Sequence, residues 1–203
     1  MIQYPNKKTT YVSTSSKTSK TLDLKKSRLG INFEDMINDS NKYYLLHDIA
    51  IIHKKPTPIQ ITKVDYPKRS SAKITEAFYK VPSTTDYNGL YKGKYIDFEA
   101  KSCKGKSFTF NNLYPHQIEH LNLIEKHGGI SFLIIRFNDF EEVYVLPTNI
   151  LYPQYQASLK GGRKSLSYDF VKTNGYLVPI GYAPMIDYLK IVDKIYLKEE
   201  NNV

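Results

Sequence analysis

The chain has a single cysteine, Cys103, among 203 residues. One thiol cannot close an internal disulfide, and it rules out zinc centres built from thiolate clusters. Long apolar runs are also missing. The longest, Ile130–Ile135, already contains a serine, whereas a membrane helix needs roughly 20 apolar residues. The N-terminus lacks the apolar stretch of a secretory signal, so a cytoplasmic location without membrane attachment is expected. No internal repeat is present. What remains is a length that suits one sizeable domain, with 41% hydrophobic residues available for a core.

Acidic residues are scarce in two particular places. Residues 1–28 hold six lysines and one arginine against Asp23 alone, a balance of +6. Residues 53–80 hold seven basic side chains against Asp65 and Glu76, a balance of +5. The rest of the chain carries 15 basic and 17 acidic residues, so the net +9 sits in those two segments. Charge that served solubility alone would be spread out. Concentrated as it is, it points to a polyanionic partner, because lysine and arginine release counterions when they neutralise phosphates.

Residues 1–28 are rich in Ser, Thr and Lys and read as a flexible basic tail, leaving 29–203 as one domain. From Ile31, the positions of Phe33, Met36, Ile37, Tyr43, Tyr44 and Leu45 predict an amphipathic helix. Ile49–Ile52 reads as a strand broken by Pro56 and Pro58, and Ile59–Val64 as a second. Residues 65–83 form a basic, aromatic excursion with no obvious place in a sheet. Strands are expected near 86–91 and 94–101, joined by a Lys-Gly turn at 92–93. A helix should start at Pro115 and stop at Gly128 and Gly129. Strands 130–137 and 142–146 follow, joined by a turn at Asn138-Asp139. The C-terminal part is less legible, with a short helix over 185–196. The order predicts an α/β (α+β-like) mixed sheet flanked by helices.

The chemistry is carried by Tyr95-Ile96-Asp97-Phe98-Glu99-Ala100-Lys101. Strand side chains alternate between faces. Ile96, Phe98 and Ala100 should therefore face the core, while Asp97, Glu99 and Lys101 share the other side. Asp86 lies 13 residues before Glu99 on the neighbouring strand of the hairpin, so it can approach the same point. Asp-x12-Glu-x-Lys is the pattern of the PD-(D/E)xK nucleases. Asp86 and Glu99 suit Mg²⁺, which prefers oxygen ligands and keeps waters. The metal acidifies a water and clamps a phosphate, and Lys101 positions that water or offsets charge on the phosphate. The same spacing also fits a surface ion pair between Glu99 and Lys101. Gln117, near the start of the following helix, can lend its amide oxygen to the metal. Glu34 on the first helix faces either this site or solvent.

A rival motif is His116-Gln117-Ile118-Glu119-His120, which fits the H-x-x-E-H signature of inverted zinc proteases. It lacks an evident third ligand, and the histidines serve equally as helix-surface groups or phosphate contacts. In the excursion, Lys68, Arg69, Lys73 and Lys80 can hold phosphates while Tyr66, Phe78 and Tyr79 stack on exposed bases. A solvated loop has the same composition. Arg163 and Lys164, in the Lys-Gly-Gly-Arg-Lys loop at 160–164, suit backbone contacts.

Together these stretches carry a resemblance. NKYYL (41–45), IHKKPTPIQI (52–61), YPKRS (66–70), STTDYNG (83–89), YKGKYIDFEAK (91–101), HQIEH (116–120), GRKS (162–165) and GYAP-x-IDY (181–188) resemble the RecU family of Holliday-junction resolvases. The likeness runs from about residue 30 to about residue 190, and the first 28 residues share only their basic, polar character. It implies a restriction-endonuclease-like nuclease core with a protruding stalk at about 65–83. It also implies a homodimer that binds four-way DNA junctions and nicks them in symmetric pairs, with recombination proteins as further partners. The family's magnesium ligands fall on Thr84, Asp86, Glu99 and Gln117, with Mn²⁺ an expected substitute. The lysine credited with stabilising the transition state falls on Lys101, and the arginine tied to DNA binding and annealing on Arg69. Two other readings stay open. One is a DNA-bridging or annealing protein with minor nuclease activity, which would not need the acid face of strand 94–101. The other is a restriction-type nuclease, which would also cut linear duplex.

Overall fold

The computed structural model describes residues 32–68, 71–80 and 84–197. The basic segment 1–28, Arg69 and residues 81–83 lie outside the described residues. Helix α1 (Phe33–Leu46) places Glu34 and Asp35 in its first turn, where carboxylates suit the helix dipole. It buries Phe33, Met36, Ile37 and Tyr44, following the predicted spacing. Leu45 departs from that reading and stays exposed, in the last turn of the helix.

Strands β1 (Ile51–Lys54), β2 (Ile59–Asp65), β3 (Lys73–Tyr79), β4 (Tyr87–Tyr91) and β5 (Lys94–Cys103) follow. The excursion finds its partner here: β3 pairs antiparallel with β2 as a separate two-stranded ribbon, so the protrusion begins at Ile59 rather than 65. Neither strand joins the main sheet. Sequence alternation could not reveal this, since every β3 residue is exposed.

The chain continues through β6 (Ser107–Thr109), α2 (Pro115–Lys126), β7 (Ile130–Phe137), β8 (Glu142–Pro147) and α3 (Thr148–Leu159). It ends with β9 (Ser165–Ser167), α4 (Tyr168–Asn174), β10 (Tyr176–Val178) and α5 (Tyr188–Tyr196). The main sheet has six strands in the order β1-β4-β5-β7-β8-β10. Only β5 and β7 run parallel, and α2 provides the crossover that a parallel pair requires. The C-terminal elements beyond β8 were hard to read because three are no longer than seven residues and α3 contains Pro153.

One face of the sheet packs on Ile118 and Leu121 of α2 and on Leu151 and Tyr155 of α3, against Leu133, Ile135 and Leu146. The other face is aromatic. Tyr87, Phe98 and Phe132 are register partners on adjacent strands, and their rings stack at 4.9 and 4.8 Å between centroids. Tyr188 of α5 packs against Phe98 at 5.1 Å and against Tyr44 of α1 at 5.5 Å. The β4–β5 turn uses Lys92 and Gly93 at φ 47° and 74°, the two positive angles that a type I′ hairpin demands.

Gly89 is needed for close strand contact rather than for a turn. A Cβ there would lie 2.0 Å from the Ile51 carbonyl oxygen and 2.7 Å from Ile52 Cα. Gly89→Ala should therefore pry β1 from β4 and cost about 1–3 kcal/mol. The checks are a lowered denaturation midpoint and faster amide exchange along 51–54; an unchanged midpoint would refute the tight β1–β4 approach.

Candidate active site

Strand β5 sits inside the sheet with both faces covered. Here the structure amends the simple two-face reading: Asp97 and Glu99 are as fully buried as Ile96 and Phe98. Helix α2 closes over the acid face and brings Gln117 against Glu99, whose Oε1 accepts from Gln117 Nε2 at 2.8 Å. The aromatic row sets the β4–β5 register, so Asp86, just before β4, comes level with Glu99. The Asp86 backbone N–H donates to Glu99 Oε2 at 3.0 Å, and Asp86 Oδ2 accepts from the Ala100 N–H at 3.3 Å. Lys101 Nζ donates to Glu99 Oε1 and lies 3.6 Å from Asp86 Oδ2. The three residues of the nuclease pattern thus meet at one point.

Their electrostatics are those of a crowded anionic site. Burial pushes the Glu99 carboxyl up to about 8, against the pull of Lys101, and the Asp86 charge adds to the push. Burial also disfavours the charged Lys101, but the Glu99 and Asp86 carboxylates outweigh it and hold the ammonium above its ordinary range. A buried acid beside a second acid, with one ammonium to share, favours the arrival of a cation. The side-chain donors that Asp86, Glu99, Thr84 and Gln117 can offer a metal are all oxygen, which suits a hard divalent ion and not zinc.

Thr84 lines a cleft of about 260 Å³ together with Asp86, Glu34, Lys54, Lys55 and Thr85. The Gln117 amide oxygen accepts from the Tyr114 N–H at 3.0 Å and so caps the start of α2. To turn that oxygen toward a metal, the carboxamide must give up one of these contacts. Glu34 lines the cleft and pairs with Lys54, yet its side chain is 44% exposed, so it borders both the cleft and solvent.

Other predicted residues stand apart from this point. Lys68, Lys73, Phe78, Tyr79 and Lys80 are exposed on or beside the ribbon, with Phe78 58% and Tyr79 84% accessible. The ribbon is closed at its base by the Lys80 N–H to Pro58 carbonyl bond, and Pro58 itself lines the Asp86 cleft. Arg163 and Lys164 lie exposed in the loop before β9. The zinc-protease reading fails on geometry. Glu119 turns to Tyr152 and Gln156 of α3, His120 contacts Asp97 at 3.2 Å, and no three His, Cys, Asp or Glu side chains among the described residues converge to hold a metal.

Sequence reasoning missed a second cluster. Asp97 accepts from Lys55, Thr85, Tyr95 and His120. Its place on the acid face was legible from alternation, but its partners come from three other parts of the chain.

The family model described as Recombination protein U, RecU, matches residues 28–194. The chain belongs to the RecU family. It is 50% identical over 171 residues to the Holliday junction resolvase RecU of Bacillus mycoides (strain KBAB4), spanning 84% of this chain and 86% of that protein. It is 46% identical over 197 residues to the Holliday junction resolvase RecU of Geobacillus sp. (strain WCH70), spanning 97% and 98%. Among solved structures, the Holliday junction resolvase Hjc of Archaeoglobus fulgidus matches 52% of this chain and 78% of its own, at a TM-score of 0.34 and 13% identity. That likeness is too slight to bear on the site. The RecU match spans every candidate site residue named above.

Glu99→Gln replaces a buried carboxyl beside Asp86 with a neutral amide of the same shape. In EDTA this variant should melt at or above the wild type. Saturating Mg²⁺ should stabilise only the wild type, by about 3 kcal/mol at a hundredfold excess over Kd. A variant that gained as much from Mg²⁺ would remove Glu99 from the metal's shell.

Proposed function

We propose that this chain is a structure-specific endodeoxyribonuclease that resolves four-way DNA junctions in recombination and repair, with Mg²⁺ as its cofactor and Mn²⁺ as a working substitute. The observation that carries the reading is the convergence of Asp86, Glu99 and Lys101 at the end of the β4–β5 register, in a chain of the RecU family. Asp86 and Glu99 are the anionic ligands, and Thr84 and Gln117 the neutral ones. A divalent ion bound there supplies an acidified water and charge for the scissile phosphate.

The protein's own part is electrostatic and positional. Lys101 Nζ already lies between the two carboxylates. With a divalent ion held by the two carboxylates, the Lys101 ammonium would be available to offset charge on the phosphate oxygens. The Ala100 N–H, a backbone donor set by the strand, holds the Asp86 carboxylate at 3.3 Å.

Substrate choice belongs to the ribbon. It projects two paired strands whose side chains are nearly all exposed, with lysines for phosphates and Phe78 and Tyr79 for stacking on unpaired bases. Arg69 supplies further charge, as does the basic segment 1–28. Arg163 and Lys164 hold a DNA arm. A homodimer places two equivalent sites on strands of like polarity across a two-fold junction. Among the described residues no helix is long and apolar enough to cross a membrane, and the working location is the cytoplasm.

The deciding assay compares a synthetic four-way junction with linear duplex, in Mg²⁺ or EDTA, for wild type and Asp86→Ala. Paired nicks on the junction alone, lost by more than about 100-fold in Asp86→Ala while junction binding in EDTA persists, are expected. Tight binding without any cut by the wild type would favour the bridging protein instead, and equal cutting of duplex the restriction-type nuclease. In the same assay Phe78→Ala with Tyr79→Ala should weaken junction binding, at about 1–3 kcal/mol per stacked base lost, and leave duplex binding nearly unchanged.

A further inference from the structure

Asp97 is fully buried, yet it is an acid on the strand that carries Glu99 and Lys101. A buried carboxylate without partners is costly, and this one has gathered four. Its Oδ2 accepts from Lys55 Nζ at 2.8 Å and from the Tyr95 hydroxyl at 2.9 Å, and meets His120 Nε2 at 3.2 Å. Its Oδ1 accepts from the Thr85 hydroxyl. A carboxylate has about four lone-pair sites; three donors crowd Oδ2 and Thr85 takes one site of Oδ1, so most of its capacity is spent on the protein itself.

The partners are informative because of what stands next to each. Thr85 immediately precedes Asp86. Lys55 donates its backbone N–H to the Asp86 carbonyl at 2.8 Å while its ammonium reaches Asp97 and, at 3.0 Å, Thr85 Oγ1. His120 lies one helical turn beyond Gln117 on α2. Asp97 and Glu99 are two residues apart on the same face of β5. One buried anion therefore ties together the turn that bears Asp86, the helix that bears Gln117 and the strand that bears Glu99.

We propose that Asp97 is a positioning residue for the metal site, holding the Asp86 turn and the Gln117 helix at the spacing from Glu99 that a divalent ion requires. This rests on the reading of Asp86 and Glu99 as metal ligands. Asp97 acts through Thr85, Lys55 and His120, in the manner of the outer partners of metal ligands, whose loss typically costs about 10–100-fold in metal affinity.

The test uses the full chain with Mn²⁺ as probe and follows binding by electron paramagnetic resonance without DNA. The Mg²⁺ needed for half-maximal junction cleavage is measured in parallel. Asp97→Asn removes the charge at constant size. Thr85→Val removes one donor at constant shape, and Thr85→Ser keeps it. The expected result is weaker Mn²⁺ binding by about 10–100-fold in Asp97→Asn, a smaller loss in Thr85→Val, near wild-type binding in Thr85→Ser, and a matching rise in the Mg²⁺ requirement. If Asp97→Asn fails to fold, the Thr85 pair decides alone. Variants that melt lower but bind Mn²⁺ as the wild type does would show a purely structural role and overturn the proposal. A wild type that binds no Mn²⁺ would overturn the underlying metal reading and this proposal with it.

Discussion

The register of the β4–β5 hairpin is the constraint on which the site depends. A strand slip of one residue moves every side chain to the opposite face, which would turn Glu99 and Lys101 away from α2 and set Asp86 beside Phe98. The stacked row of Tyr87, Phe98 and Phe132 makes that slip expensive, because all three rings are fully buried between sheet and helices. The tight Lys92-Gly93 turn pins the other end of the same pair. A hydrophobic row on one face thereby fixes acid chemistry on the other.

Electrostatics oppose what packing achieves. Asp86, Asp97 and Glu99 stand close together in a partly dehydrated place, and such a grouping lowers stability unless it is compensated. Lys101 and Lys55 supply that compensation, each to a different acid. The division of labour follows from hydrogen-bond capacity. Asp97 is held by four donors and serves the frame, whereas Glu99 and Asp86 have fewer fixed partners, and Asp86 lines the cleft. Local conflict of this kind is what a site for a cation requires, since an ideally satisfied set of carboxylates would have no need of one.

The ribbon of β2 and β3 shows the opposite design. A two-stranded sheet with Ile59, Ile61, Ile74, Phe78 and Tyr79 exposed has little of its own to bury, and an isolated hairpin is marginal in water. Its connection to the body at Pro58 and Lys80 lies beside the Asp86 cleft. Basic and aromatic composition alone set 65–83 apart as an excursion and left it open between a DNA contact and a solvated loop. That Ile59–Asp65 forms its other half was not legible, because β2 alternates like any strand of a sheet.

The sequence by itself determined the elements with strong periodicity or punctuation: α1 from its apolar spacing, α2 from Pro115 and Gly128, and β4, β5, β7 and β8 from alternation and turn residues. It also determined the Asp86, Glu99 and Lys101 pattern, since strand parity and the 13-residue separation place those groups on one side of a hairpin without reference to anything distant. Only the tertiary structure decided how differently the two acids on that side of β5 are partnered. Asp97 and Glu99 are equivalent by parity, and what separates them is the identity of residues that arrive from elsewhere: Lys55, Thr85 and His120 at one, Gln117 and Asp86 at the other. The burial of both acids likewise depends on where α2 lands. Hydrogen bonds between groups far apart in the chain leave no period in the sequence, so packing alone could give the two carboxylates their different partners.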